Sequence, residues 1–97
     1  MHINYDAFTD VLGTNPKERL LEQNRTALVC DCRRLLAAHL RAHHYSLPLI
    51  GKTLKRHHTT VLHLIRTHDE LISTDAHYRK LVETCGESIL VHDSNET

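Results

Sequence analysis

Apolar residues recur along this chain every three to four positions, and strand-like alternation is nearly absent. Gly, Pro, Ser, Thr and Asn interrupt the pattern at intervals, which is the signature of successive amphipathic helices. The first is expected over about Asn4–Leu12, with Tyr5, Phe8 and Leu12 on one face and Gly13 as its stop. Asn15-Pro16-Lys17-Glu18 reads as an N-cap, a proline at the first helical position and an acid at the third. The short helix it opens carries Leu20 and Leu21 inward and frays near Gln23–Asn24. A longer helix from about Thr26 to Ala42 lines one side with Leu28, Cys32, Leu35, Leu36, His39 and Leu40.

Ser46 is the next N-cap, and Pro48 is tolerable only in a first turn. The helix of about Leu47–Leu54 directs Leu47, Ile50 and Leu54 to the core, and Lys55-Arg56-His57 make a tight turn. A helix over about His58–Ile72 then faces Val61, Leu64 or Ile65, His68, and Leu71 or Ile72 inward. Thr59, Thr60, His63, Arg66 and Thr67 face out. Thr74 reads as the cap of a last helix over about Asp75–Cys85 that buries Tyr78, Leu81 and Val82 and ends at Gly86. Ile89–Val91 are expected to pack loosely.

The expected fold class is therefore all-α: one compact domain of about five to six helices over 1–86, followed by an acidic, flexible tail over 87–97. A chain of 97 residues supports one domain with a modest core and is too short for a nucleotide-driven motor. Its 40 % hydrophobic and 25 % charged residues are ordinary for a soluble globular protein. Residues 1–20 lack the basic-then-apolar pattern of a signal peptide, and no run approaches the ~20 apolar residues a membrane span needs. Three cysteines, Cys30, Cys32 and Cys85, are an odd and sparse set that reads as reduced thiols, so the expected location is cytoplasmic.

Twelve basic and twelve acidic residues cancel, yet their placement does not. Between Asp31 and Asp69 there is no acid, while Arg33, Arg34, Arg41, Lys52, Lys55, Arg56 and Arg66 give that block a charge of +7. The flanks carry −2 over 1–32 and −5 over 69–97. Seven of the ten histidines also lie in the basic block, so its positive charge should grow as pH falls from 8 to 6. Such asymmetry marks a polyanion-binding face, and the block contains the short helix, tight turn and polar-tipped longer helix of a helix-turn-helix. An αα-hairpin within any helical bundle shares that outline.

Two blocks narrow the choice. Ser46-Leu47-Pro48-Leu49-Ile50-Gly51 and His58-Thr59-Thr60-Val61-Leu62-His63 resemble the signature of the C-terminal DNA-binding domain (domain IV) of the bacterial replication initiator DnaA. The likeness extends more weakly through Val11-Leu12-Gly13, Leu20-Leu21 and Leu28-Val29, and spans roughly residues 3–85. It implies a Trp-repressor-like helical fold that reads a short asymmetric box in double-stranded DNA. On that resemblance His57, His58, Thr59, Thr60 and His63 are the base-reading residues, and Arg25, Ser46, Lys52, Lys55, Arg56 and Arg66 contact phosphate. The chemistry is compatible, since Thr packs on a thymine methyl while its hydroxyl bonds a base edge, and imidazole donates or accepts there.

The chain departs from that family in three places. The usual Gly-Gly-Arg-Asp turn is here Lys55-Arg56-His57, one residue shorter and without glycine, so a base-reading acid becomes His57. Depending on register, Cys30 and Cys32 stand where the family places an arginine for the minor groove, leaving Arg25, Arg33 or Arg34 as substitutes. No G-x-x-x-x-G-K-[ST] phosphate loop is present, which implies a module without ATPase activity.

The remaining chemistry is thin. His39 and His43 stand at i, i+4, but Cys30 and Cys32 at i, i+2 point apart on a helix, so no metal is expected. His58 lacks a nucleophile at useful spacing and Cys32 beside Arg33 is a weakly activated thiol, so neither an enzyme nor a cofactor is expected. The expected function is sequence-specific DNA binding in replication-initiation control or transcription, near the nucleoid, as a monomer or weak homodimer. The competing class is a module that kept the fold and binds replication or transcription proteins.

Overall fold

The computed structural model describes residues 2–22 and 26–91. Six α-helices account for most of them: α1 (Thr9–Leu12), α2 (Pro16–Leu21), α3 (Ala27–Ala42), α4 (Leu47–Leu54), α5 (His58–Thr74) and α6 (Ala76–Cys85). The all-α class expected from the periodicity holds. Central helix α3 packs against α5, α4, α2 and α6, so its apolar face is the floor of the core. Phe8, Leu20, Leu35, Leu36, Leu40, Ile50, Leu54, Val61, Tyr78 and Ile89 are fully buried around it.

Local chemistry sets the boundaries, with several differences from the expected caps. The first predicted helix is split: Tyr5–Phe8 is a 3₁₀ turn and only Thr9–Leu12 is α-helical, stopped by Gly13 at φ 76°. Pro16 opens α2 as expected, but Asn15 sits in the left-handed region and makes no side-chain cap bond. Ser46 caps α4 by accepting from the Leu49 amide. At the α5–α6 junction the cap is Asp75 and not Thr74: the Asp75 carboxylate accepts from the Tyr78 amide, while Thr74 completes α5 and donates to the Glu70 carbonyl. An ionised carboxylate is the stronger acceptor for an unpaired helical amide, which explains the one-residue shift.

Two expectations about burial fail. Leu28, assigned to the inner face of the long helix, is 43 % exposed. Val29 takes its place in a buried stripe of α3 that otherwise runs through Cys32, Leu35, Leu36 and Leu40 as expected. Ile89 does not pack loosely but is fully buried. Past α6 a 3₁₀ turn (Gly86–Ser88) leads into β2 (Leu90–Val91), which pairs antiparallel with β1 (His2–Ile3), His2 opposite Val91 and Ile3 opposite Leu90. The Asn4 amide donates to the Ile89 carbonyl at 2.7 Å and the Asn4 side chain to the Ser88 carbonyl at 3.0 Å. The folded unit therefore reaches at least Val91.

Polar contacts join the helices beneath the surface. Arg34 donates through Nε to Thr67 Oγ1 at 2.7 Å and forms an ion pair with Asp31 one turn back, tying α3 to α5. His68 on α5 shares a hydrogen bond with the Tyr78 hydroxyl on α6. Burial raises the Tyr78 phenol above its usual range and pushes the Cys32 thiol up to about 12, with Cys85 and then Asp31 adding to the latter. Such a thiol is a packing group and not a nucleophile.

Candidate nucleic-acid interface

The unit that orders the expected site is α4, its three-residue turn and α5. Lys55 adopts φ 57°, ψ 44°, and with it α4 closes in a Schellman motif. The Arg56 amide donates to the Gly51 carbonyl at 2.8 Å and the Lys55 amide to the Lys52 carbonyl at 3.4 Å. The turn folds back so tightly that a Cβ on Gly51 would lie 2.6 Å from the Arg56 carbonyl oxygen. Glycine at 51 is therefore a steric requirement, which gives the Ile50-Gly51 pair a physical meaning.

His57 then starts α5. Its backbone is extended, and its Nδ1 accepts from the Thr59 amide at 3.2 Å while also meeting the Thr59 hydroxyl. The His58 ring lies 4.2 Å from the His57 ring, inclined by 31°. Val61 and Leu64 of α5 turn into the core, and this fixes the opposite face. His57, His58, Thr59, Thr60 and His63 are all exposed, so the five expected base-reading residues share one surface at the start of α5. Ser46, Lys52, Lys55 and Arg66 are exposed too. The Ser46 hydroxyl is engaged as the α4 cap.

Other cations of the basic block are placed differently. Arg33 is only 5 % exposed: Nε donates to the Leu20 carbonyl at 2.8 Å, and Nη2 to the carbonyls of Glu22 at 3.1 Å and Arg19 at 3.5 Å. It closes the C-terminal end of α2, where orphan carbonyls and the helix dipole favour a cation. Burial, and then the nearby Arg56, lower its pKa. Arg34 is committed to Asp31 and Thr67. Neither residue is a substitute for a minor-groove arginine. Arg56 is half-buried and also points inward, with Nη1 on the Leu54 and Lys55 carbonyls at 3.2 and 3.0 Å and Nη2 on the Glu22 carbonyl at 2.5 Å. It fastens the turn to the end of α2. Arg25 lies outside the described residues.

Sequence reasoning missed two parts of this assembly. Histidine is not among the common N-caps, so nothing in the pattern marked His57 as the cap of α5. Thr67, expected on the outer face, accepts from Arg34 and donates its own hydroxyl hydrogen to the His63 carbonyl at 2.9 Å. Among the described residues no group of three or more His, Cys, Asp or Glu side chains is placed to hold a metal ion, and no helix is long and apolar enough to cross a membrane. Comparison with known proteins gives no matching family model, no matching curated protein and no matching solved structure.

Proposed function

We propose that this chain is a sequence-specific double-stranded DNA-binding module. It acts by occupying its site in the control of replication initiation or of transcription, with no catalytic or nucleotide-hydrolysing step. The observation that carries the reading is the N-terminal face of α5. Base-reading chemistry in His58, Thr59, Thr60 and His63 is exposed on one surface, behind a turn held rigid by Gly51 and beside the exposed cations Lys52, Lys55 and Arg66. A helix offered this way fits the major groove, and the absence of acids between Asp31 and Asp69 keeps carboxylates out of the first three turns of α5, the part that would meet phosphate. The resemblance of the Ser46–Gly51 and His58–His63 blocks to the DnaA domain supports the same conclusion.

The test is a randomised-duplex selection at two salt concentrations. An enriched motif is expected, with a log–log salt slope of roughly −4 to −5 for about 4–6 phosphate contacts. Thr60→Ala or His58→Ala should cost about 1–3 kcal/mol of specific affinity. If no motif emerges, the reading fails. A module that binds replication or transcription proteins through its exposed Leu28 and Leu49 then takes its place.

A further inference from the structure

We infer that His57 enters this interface as a fixed hydrogen-bond donor at Nε2, so that it favours guanine at one position of the bound site and refuses cytosine. This rests on the DNA-binding reading above and sharpens it to the chemistry of one contact. A neutral imidazole has one donor and one acceptor nitrogen, and which is which follows from what each nitrogen meets. His57 Nδ1 meets the backbone N–H of Thr59 at 3.2 Å, a group that can only donate. Nδ1 also meets the Thr59 hydroxyl, which can donate as well as accept, so only an unprotonated Nδ1 satisfies both contacts, and this assigns the proton to Nε2. A proton on Nδ1 would set two donors against each other and leave the first turn of α5 without its cap.

The two ring nitrogens direct their bonds away from each other in the ring plane. With Nδ1 committed to the helix, Nε2–H points away from the Thr59 amide. His57 is exposed, and the neighbouring His58 ring at 4.2 Å limits its rotation. In the major groove, guanine presents two adjacent acceptors, N7 and O6, whereas cytosine presents the N4 amino donor. A fixed donor is matched best by the paired acceptors of guanine, less well by the single acceptors adenine N7 and thymine O4, and is opposed by cytosine.

The experiment runs the duplex selection in parallel on the unaltered chain, His57→Asp and His57→Asn, each checked for a cooperative thermal transition. Asp retains an N-cap acceptor but offers no donor, while Asn caps through Oδ1 and keeps a donor in its amide nitrogen. The unaltered chain is expected to select guanine at one position that His57→Asp alone converts to cytosine. That preference should shift by roughly 5–150-fold there, with other positions unchanged. His57→Asn should not select cytosine. Nitrogen NMR of the histidine-labelled free chain reads the tautomer without DNA, and should find His57 protonated at Nε2 and bare at Nδ1. A proton on Nδ1 in the neutral ring overturns the assignment. So does a motif that is the same in the unaltered chain and in His57→Asp, or cytosine selected by the unaltered chain. Failure of all three proteins to enrich any motif overturns the DNA-binding reading, and this contact with it.

Discussion

Gly51→Ala isolates the contact that sets the geometry of the α4–α5 unit. Alanine in a helix interior is about 1 kcal/mol more favourable than glycine, so propensity alone predicts a gain. The structure predicts a loss. An added Cβ would stand 2.6 Å from the Arg56 carbonyl oxygen, a backbone atom that no side-chain rotation removes. Ordinary carbon–oxygen contacts are about 3.3–3.6 Å, so the turn must move out by roughly 0.7–1 Å. That displacement pulls on the Arg56 N–H to Gly51 carbonyl bond at 2.8 Å, worth about 1 kcal/mol, and overpacking of this kind typically costs about 1–3 kcal/mol. The net expectation is a destabilisation of about 1–3 kcal/mol, read from urea unfolding followed by far-UV circular dichroism. Gly86→Ala is the internal control, because there the Cβ would meet His39 ring atoms at 3.4 and 3.5 Å and the backbone is already helical. It should be neutral or slightly stabilising. A Gly51→Ala protein as stable as Gly86→Ala would refute the close approach of turn and helix, and with it the rigidity invoked for the α5 face.

Lys55→Gly should separate stability from binding. A left-handed conformation costs an L-residue roughly 1–2 kcal/mol, while glycine forfeits about 0.4–1 kcal/mol through its freer unfolded chain, so the variant should gain about 0.5–1 kcal/mol. If Lys55 touches phosphate, the salt slope of DNA binding should shrink by about 0.9 at the same time. Unchanged stability and slope together would count against both the strain and the contact. Stability should also respond to pH through His68. Burial lowers its pKa from the usual 6.5, with His39 and Arg34 acting in the same direction and Asp69 opposing them. The folded state thus favours neutral His68, and its contribution is fully present above about pH 6.5 and lost as pH falls through the lowered folded value. His68→Gln should flatten the fall in urea midpoint between pH 7 and 5, and an identical slope in the variant would exclude His68 as its source.

What the sequence made legible follows from the kind of interaction involved. The helices α3 to α6 were readable within a few residues because their apolar periodicity and their punctuation by Ser46, Pro48 and Gly86 are local signals. The outward face at the start of α5 was readable for the same reason: with Val61 and Leu64 inside, Thr60 and His63 must be outside. The commitments of the arginines were not readable. Whether a guanidinium in a basic block faces solvent or a carbonyl depends on where another helix ends, and Arg33 finds the end of α2 from 13 positions away in sequence. A charge count therefore overstated the basic surface by at least Arg33. The two-residue strands carry no detectable period, and no local signal marked the burial of Ile89 just before β2.

That pairing has a kinetic consequence. His2 and Val91 are brought together across almost the whole chain, a closure whose entropic cost is roughly 4 kcal/mol for a flexible loop of this length. Two paired residues on each side cannot repay it before the helices have docked. The ladder should therefore zip after the rate-limiting step of folding, so that loosening it leaves the folding rate nearly unchanged and acts mainly on unfolding. The clasp between β1 and β2 should thus act as a brake on opening of the helical domain and not as a seed for its assembly.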